Sequence, residues 1–256
     1  MSEFRLAQLR RPQLMESAWE VALLPIGSTE PHAQHLVYGT DTFQVERFAE
    51  RVAAEANQRG ARCLLLPTMP FSCNVNLHEC AWAMDLQPRT LIDFVTDVVA
   101  SVVRQGVKKI VILNGHGGNE AALQAGLREM HPKFDAFIAL SQWYSVAGDV
   151  EAEVMETSER GHACEMETSS MLYLHPEGVD MSAAEPTHVR KTFFSNRALQ
   201  FVSPWHALTR NTGIGDPTKA TAEKGQRILE VAIERVATAL KDLSDAPYGD
   251  LFPYRD

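Results

Sequence analysis

Two carboxylates and two imidazoles lie close together near the start of the chain. Glu30, His32 and His35 fall in the segment GSTEPHAQH, and Asp41 follows in GTDT. Carboxylate oxygens and imidazole nitrogens are ligands for divalent transition metals. If the segment is extended, Glu30 and His32 point to the same side, because side chains of an extended chain alternate with a period of two. The spacing favours a metal site, although such residues in a loop are also common as solvated turn residues.

A third imidazole, that of His116, lies in a glycine-rich segment, NGHGGN, directly after the apolar run IVIL. A glycine loop between a strand and a helix can also bind a phosphate group. This loop has neither the G-x-G-x-x-G pattern nor a Lys-Ser/Thr pair. A histidine among glycines is better explained by a backbone that approaches a metal or substrate closely. A nucleotide-binding protein without catalysis is the alternative.

A third motif, GHACEMETS, contains His162, Glu165 and Glu167 at the predicted start of a helix. His162 and Glu165 are three positions apart and share a helix face, whereas Glu167 points elsewhere. Acidic residues in a first helical turn are commonly explained by the helix dipole alone. That explanation accounts for the two glutamates but not for the histidine beside them.

Alternating strands and helices are predicted to bring these motifs together. Four apolar runs have the length of buried strands: 21–26, 62–67, 108–113 and 134–141. Amphipathic patterns predict helices over 40–59, 88–106, 120–130 and 219–243. This order predicts an α/β fold with three α/β/α layers around a mainly parallel central sheet. Ligand sites in such sheets lie at the carboxyl ends of the strands, which is where Glu30, His78 and His116 fall.

Composition excludes several classes of protein. The chain has 256 residues, of which 45% are hydrophobic and 22% charged, and we expect one domain over 1–256. The formal net charge of −9, without a basic run, argues against a nucleic-acid binder. No stretch approaches the roughly 18 apolar residues of a membrane span, and the N-terminus lacks a secretory signal. Four irregularly spaced cysteines indicate reduced thiols in a cytoplasmic protein.

Taken together, the motifs GSTEPHAQHL…GTD, NGHGGN, GHACEMETS and DPTKATAEKG resemble those of the creatininase (creatinine amidohydrolase) family. The resemblance covers about residues 21–235. It implies an α/β/α fold, two divalent metal ions and hydrolysis of an amide-type C–N bond. Mixed carboxylate and imidazole ligands suit Zn, Mn or Fe without selecting among them.

The resemblance also implies roles for individual residues. It assigns Glu30, His32, Asp41 and His116 to the metal ions, with Asp41 bridging them. Creatininase has a further glutamate two residues after the histidine that matches His116, where this chain has Gly118. In the glycine-containing branch of the family, Glu165 takes that place. The same comparison makes His162 and Glu167 the candidate catalytic residues, with His162 as the expected proton carrier, Glu167 in a supporting role, and proton transfer by Glu167 as the alternative.

The expected reaction is attack on a small, cyclic or formamide-type amide by a hydroxide that bridges the metals. The loop 72–85 departs from the family pattern, so its His78 is a candidate substrate-binding residue, as is Trp143. Trp205 could also line the pocket, although single aromatic residues are common in cores. Lactone hydrolysis or sugar isomerisation on the same centre are alternatives. The resemblance further implies a homo-oligomer, with a hexamer as one form.

Overall fold

A four-stranded parallel sheet forms the centre of the protein. The structure is a computed structural model that describes residues 3–194 and 198–254. Its strands are β1 (Val21–Ile26), β2 (Cys63–Leu65), β3 (Lys109–Asn114) and β4 (Phe137–Gln142). They lie in the order β2-β1-β3-β4, and every pair is parallel. All four carboxyl ends therefore meet at one edge of the sheet.

Helices connect the strands and cover both faces of the sheet. Those described are α1 (Arg11–Glu16), α2 (Thr40–Gln58), α3 (Pro88–Val103), α4 (Glu120–Met130), α5 (Gly148–Val154), α6 (Glu165–Leu174), α7 (Trp205–Leu208) and α8 (Ala222–Asp245). In the described part of the chain, none of them is both long and apolar enough to cross a membrane.

The core consists of two apolar clusters, one on each face of the sheet. Val21 and Leu23 of β1 face the cluster formed with α2 and α8. Ala22 and Leu24 face the opposite cluster, formed with α3 and α4. Every residue of β1 and β3 is buried, which explains why their sequences are continuous apolar runs rather than alternating patterns. The predicted three-layer α/β/α fold is confirmed.

The predicted element boundaries differ from the observed ones mainly at the strands. The second strand is limited to Cys63–Leu65, although Leu66 still donates a hydrogen bond to Leu23. The fourth begins at Phe137 and not at 134, because the amide of Phe134 donates a hydrogen bond to the carbonyl of Met130 and closes the turn that follows α4. Neither difference changes the strand order or the position of the carboxyl edge.

Candidate metal centre

Six titratable side chains from four segments meet at the carboxyl edge of the sheet. One segment follows β1, one begins α2, one follows β3 and one leads into the first turn of α6. Their ligand atoms form three overlapping groups whose members lie within 4.8 Å of one another, and all six side chains are buried or nearly so. The six are Glu30, His32, Asp41, His116, His162 and Glu167.

Asp41 lies between two imidazoles and directs one carboxylate oxygen at each. Its Oδ1 is 3.1 Å from Nε2 of His32, and its Oδ2 is 2.9 Å from Nδ1 of His116. Glu30 adds an oxygen 3.1 Å from the same Nδ1 of His116. On the other side, Oε1 of Glu167 lies 3.6 Å from Nε2 of His32. The arrangement has two lobes that share Asp41, as a carboxylate bridging two cations would require.

Backbone carbonyls orient all three imidazoles. Nδ1 of His32 lies 3.0 Å from the carbonyl oxygen of Glu30, Nε2 of His116 lies 3.1 Å from that of Cys73, and Nε2 of His162 lies 2.9 Å from that of Pro31. A carbonyl oxygen can only accept, so each of these nitrogens carries the proton. In the neutral imidazole, the other nitrogen then presents its lone pair to the carboxylates. Metal-ligating histidines in proteins are oriented in this way.

The buried carboxylates lack the hydrogen-bond donors that they need. Among the described residues, no hydrogen bond reaches either carboxylate oxygen of Glu30 or Oδ2 of Asp41. A buried carboxylate without a donor or cation is strongly unfavourable. Lone pairs of neutral imidazoles at about 3 Å add repulsion, so a positive charge must lie between these groups. This donor set therefore fits divalent cations.

The pKa values of the cluster reflect the same need for positive charge. Burial alone would lower the pKa of His32 and His116, but the neighbouring carboxylates of Asp41, Glu167 and Glu30 raise both pKa values well above the usual range. Burial would raise the pKa of Asp41, yet the imidazoles of His32 and His116 hold it well below its ordinary value. Protonated imidazoles or, in their place, a metal ion would thus supply the positive charge that these carboxylates need.

His162 differs from the other two imidazoles. Its Nδ1 lies 3.7 Å from Glu30, and its ring centroid is 4.0 Å from that of His32. Burial and the nearby His32 lower the pKa of His162, in contrast to the raised pKa values of His32 and His116. Its ring also borders the cavity that opens beside the cluster. His162 is thus the imidazole of the cluster whose pKa is lowered and whose ring borders the cavity.

The cavity beside the cluster has a volume of about 430 Å³. Apart from the cluster residues, none of the described residues in its walls carries a charged side chain. They are formed by three aromatic rings, by small and apolar residues, and by one amide: Trp143, Tyr144, Trp205, Leu77, Met166, Ile214, Gly115, Gly117, Gly118, Gly161 and Asn76. A small, uncharged ligand fits these walls.

The structure does not bring Glu165 into the cluster, contrary to the prediction. Its carboxylate accepts hydrogen bonds from the amides of Glu156 and Thr157, from the Thr157 hydroxyl and from the Lys224 ammonium group of α8. Residues two positions apart on a helix point about 200° away from each other. Glu167 therefore faces the sheet edge when Glu165 faces α8. Glu167, which was predicted to be catalytic in a supporting role and not a metal ligand, lies in the cluster where Glu165 was expected.

The two predicted substrate-binding residues have different positions. His78 does not line the cavity, because its side chain is 77% exposed and its Nδ1 lies 3.8 Å from Asp85. Trp143 does line it, while the rest of its buried ring packs against Phe48 of the core. Trp205 also borders the cavity, with its ring edge-on to that of His162 at a centroid distance of 4.7 Å.

Sequence reasoning missed two polar residues of the cavity wall. Tyr144 follows β4 directly, and its hydroxyl donates a hydrogen bond to Gln142 at the carboxyl edge. That position was a usable signal, since the other candidate residues also follow strands. Asn76 lies in the loop 72–85, two residues before His78, and this loop has no periodicity that predicts which side chain points inward.

The presence of glycine at position 118 has a steric reason. A Cβ at this position would lie 2.4 Å from the carbonyl oxygen of Cys73 and 2.3 Å from Nε2 of His116. That carbonyl is the group that orients His116, so no side chain fits here without moving the imidazole. The position cannot supply a carboxylate in this chain.

Comparisons with known proteins agree with this fold. A family model described as creatinine amidohydrolase matches residues 7–240. The chain is 27% identical to a mycofactocin precursor peptide peptidase of Mycobacterium ulcerans, over 93% of this chain and 91% of the relative. It is 26% identical to a 3-dehydro-scyllo-inosose hydrolase of Thermotoga maritima, over 91% of this chain and 81% of that relative. Such relatives are hydrolases, and the prediction of an enzyme is confirmed.

Solved structures give the same result. A Bacteroides fragilis protein described as a candidate creatinine amidohydrolase superposes with a TM-score of 0.89 at 29% identity, over 98% of this chain and 100% of that one. Creatininase structures described as Zn–Zn and Mn forms share the fold, with TM-scores of 0.79 and 0.76 at 21% and 22% identity, over 96% of this chain and 100% of each. With a family match over nearly its whole length, the chain belongs to the creatininase family.

Proposed function

We propose that the chain is a metal-dependent amidohydrolase that cleaves an amide-type C–N bond of a small substrate. The observation that carries the proposal is the position of Asp41, with one oxygen at each of two imidazoles, beside a Glu30 carboxylate that has no described hydrogen-bond donor. Two divalent ions, of Zn, Mn or Fe, would satisfy these atoms. The residues proposed to hold them are Glu30, His32, Asp41, His116 and Glu167.

The metal ions and the chain would contribute different parts of the chemistry. When bound, such ions polarise a carbonyl group and lower the pKa of water towards neutrality. The chain would hold the amide carbonyl beside the cluster, in a cavity of about 430 Å³. Its largely apolar walls would exclude bulk water, which strengthens every electrostatic interaction inside.

His162 is the proposed proton carrier. Its Nε2–H donates to the carbonyl of Pro31, which leaves Nδ1 to accept a proton on the cavity side. A lowered pKa keeps Nδ1 unprotonated near neutral pH, so that it can take a proton from the attacking water and give it to the leaving nitrogen. The carboxylate of Glu30, 3.7 Å from Nδ1, lies close enough to stabilise the transient positive charge on the ring.

The cavity supports a small, uncharged substrate, such as a cyclic amide or a formamide. Outside the cluster, the described wall residues offer one amide, one phenol and two indole rings but no charged group. A flat ring could pack against Trp205, and Asn76 could exchange hydrogen bonds with a polar edge of the substrate. The relative named as a 3-dehydro-scyllo-inosose hydrolase supports hydrolysis of a non-amide ring, such as a lactone, as a second candidate function.

A nucleotide-binding role is less well supported. Both polar ends of Asn114 are used inside the glycine loop, since it accepts from the His116 amide and donates to the His116 carbonyl. Glu120 stands in the first turn of α4, where its charge opposes an anion at the helix N-terminus. The loop is arranged to hold His116 rather than to receive a phosphate.

The test is metal analysis combined with a substrate panel. Purified protein should contain close to two divalent ions per chain, and chelation should abolish hydrolysis of at least one cyclic amide, formamide or lactone, which added Zn²⁺ or Mn²⁺ should restore. Asp41→Asn is the matched inactive control. Protein that neither carries nor gains a divalent ion, and hydrolyses nothing, would contradict the proposal. We also propose that the protein is cytoplasmic, consists of a single domain and forms a homo-oligomer.

A further inference from the structure

Asn76 is a polar side chain of the cavity wall for which the proposed chemistry has no use. It lies in a short 3₁₀ turn, Val75–Leu77, and borders the cavity. Among the described residues, none forms a hydrogen bond with its carboxamide. An asparagine side chain carries an acceptor oxygen and a donor nitrogen next to each other. Both are therefore available to a molecule in the cavity.

The other polar side chains of the wall do not offer this combination. The Tyr144 hydroxyl donates a hydrogen bond to Gln142 and accepts one from Asn114 at 3.4 Å. The two indole rings of the wall can donate a hydrogen bond but cannot accept one. Of the described side chains outside the cluster, Asn76 alone combines an unused donor with an unused acceptor.

The turn that carries Asn76 is fixed on both sides of this residue. Before it, the Asn74 carboxamide donates to Oγ of Ser28 at 2.8 Å and to the carbonyl of Met84 at 2.9 Å. After it, Leu77 is buried and donates its amide to the carbonyl of Asn74. A group that is held in place before a ligand arrives loses little conformational freedom on binding. The turn therefore presents Asn76 to the cavity at a small entropic cost.

Asn76 also lies close to the aromatic part of the wall. Its turn contacts α7, and Trp205 of α7 meets the ring of His162 edge-on. A flat ring packed against Trp205 can direct one amide bond at the cluster. Its other polar edge would then lie towards Asn76.

The edge that best matches a free carboxamide is that of a cyclic amide. In a small ring the amide bond is cis, so its N–H and C=O lie on the same edge, whereas an open-chain amide is trans and directs them to opposite sides. A carboxamide can form two parallel hydrogen bonds with such a donor–acceptor edge, as asparagine does with adenine. The described wall outside the cluster has no charged group that would favour an ionic edge instead.

We infer that Asn76 determines substrate specificity by pairing with a second amide edge of the substrate, away from the bond that is cleaved. The inference rests on the proposed function and narrows it. The substrate is a small, neutral ring with two amide groups, such as a cyclic imide or ureide. Asn76 takes no part in bond cleavage, so its loss weakens binding and changes kcat little.

Three five-membered rings that differ in one group test the pairing. Hydantoin has a second amide, γ-butyrolactam has none, and β-amino-γ-butyrolactam carries an ammonium group instead. Their dissociation constants are measured by calorimetry with metal-loaded wild type, Asn76→Leu and Asn76→Asp, and kcat and KM are measured for each ring that is cleaved. The matched control is Val75→Asp, at the exposed neighbour in the same turn, which does not line the cavity. Metal content and a thermal melt establish that each protein is loaded and folded.

Wild type should bind hydantoin at least about tenfold more tightly than γ-butyrolactam, as expected for two neutral hydrogen bonds. Asn76→Leu should reduce this preference to less than about threefold by weakening the hydantoin complex alone. Asn76→Asp should bind the β-amino lactam at least about tenfold more tightly than wild type does, because a carboxylate and an ammonium group form a charge-assisted hydrogen bond. Val75→Asp adds the same charge and should behave like wild type.

Three results would each overturn the inference. They are a wild type that does not bind or does not prefer hydantoin, an Asn76→Leu variant that keeps the preference, and equal binding of the ammonium probe by Asn76→Asp and Val75→Asp. A gain of affinity in Asn76→Asp cannot come from a damaged fold, which keeps the test decisive. Failure of the proposed function gives a different result: rings that bind with the expected pattern but are never cleaved would support the role of Asn76 and contradict amide hydrolysis.

Discussion

Two buried acidic regions border the first turn of α6 on different sides and have opposite hydrogen-bond environments. In the metal centre, no described hydrogen bond reaches either carboxylate oxygen of Glu30 or Oδ2 of Asp41. At the contact of α6 with α8, the carboxylate of Glu165 receives two backbone amides, one hydroxyl and one ammonium group. The carboxylates of the first environment would be satisfied by a cation, whereas that of the second already has its donors. Hydrogen-bond donors therefore distinguish a proposed ligand from a structural acid better than residue type or spacing does.

The largest expected effect is that of Asp41→Asn. The amide has about the same shape, but it removes the negative charge shared by both halves of the cluster. Several kcal/mol of metal-derived stabilisation of the transition state would be lost, which corresponds to about a thousandfold in kcat/KM. Metal content, measured by plasma mass spectrometry after dialysis, should fall for both ions. Retention of two ions with high affinity would show that Asp41 is not shared.

The comparison of Glu167→Gln with Glu165→Gln is the sharpest test of the difference between the two regions. Both variants make the same chemical change on one helical turn. Glu167→Gln should lower the occupancy of one metal ion and reduce kcat/KM about a hundredfold, because one cation loses a charged ligand. Glu165→Gln should keep both ions and instead lower the free energy of unfolding by about 2–3 kcal/mol, because Lys224 and two amides lose a charged partner.

Metal occupancy and urea unfolding are measured for both variants. We expect the loss of a metal ion in Glu167→Gln and the loss of unfolding free energy in Glu165→Gln. If Glu165→Gln loses a metal ion while Glu167→Gln keeps both, the original assignment from sequence would be restored.

The fold was predictable because its signals are local. Each strand can be recognised from its own segment, by a continuous apolar run, as in β1 and β3, that ends at a glycine-containing loop. The parallel strand order then places Glu30 and His116 at one edge of the sheet. The choice between Glu165 and Glu167 is not local. It depends on the residue at which α6 begins and on Lys224, which lies 59 positions further along the chain. The same holds for Asn76 and His78, whose loop is shaped by contacts rather than by a repeating pattern.

His35 lies in the same motif as His32, but, like Glu165, it has a hydrogen-bond partner outside the metal centre. Its Nε2 pairs with the Thr168 hydroxyl at 2.8 Å, and burial lowers the pKa of His35 to about 4. The unfolded chain, with a histidine pKa near 6.5, binds a proton between these two pH values when the folded protein does not. The free energy of unfolding should therefore fall as the pH is lowered through this window.

For His35, the loss between pH 7 and pH 5 should be about 2 kcal/mol. Urea unfolding in excess chelator measures it, since metal release then contributes nothing. In His35→Gln this part of the pH dependence should be absent. His131→Gln, a change at an exposed histidine, is the matched control and should keep the wild-type slope. An unchanged slope in His35→Gln would mean that His35 is protonated in the folded protein.

The smallest expected effect concerns Trp205, which borders the metal centre without belonging to it. Its ring meets His162 edge-on across the cavity wall, and it bears no ligand atom. If it only provides a flat surface for the substrate, Trp205→Ala should raise KM between about threefold and tenfold, as expected for one aromatic contact of about 0.5–1.5 kcal/mol. Trp205→Phe should recover most of that loss, and kcat should change little. A fall in kcat larger than the rise in KM would instead mean that Trp205 holds the ring of His162 in position. Trp205 would then support proton transfer rather than substrate binding.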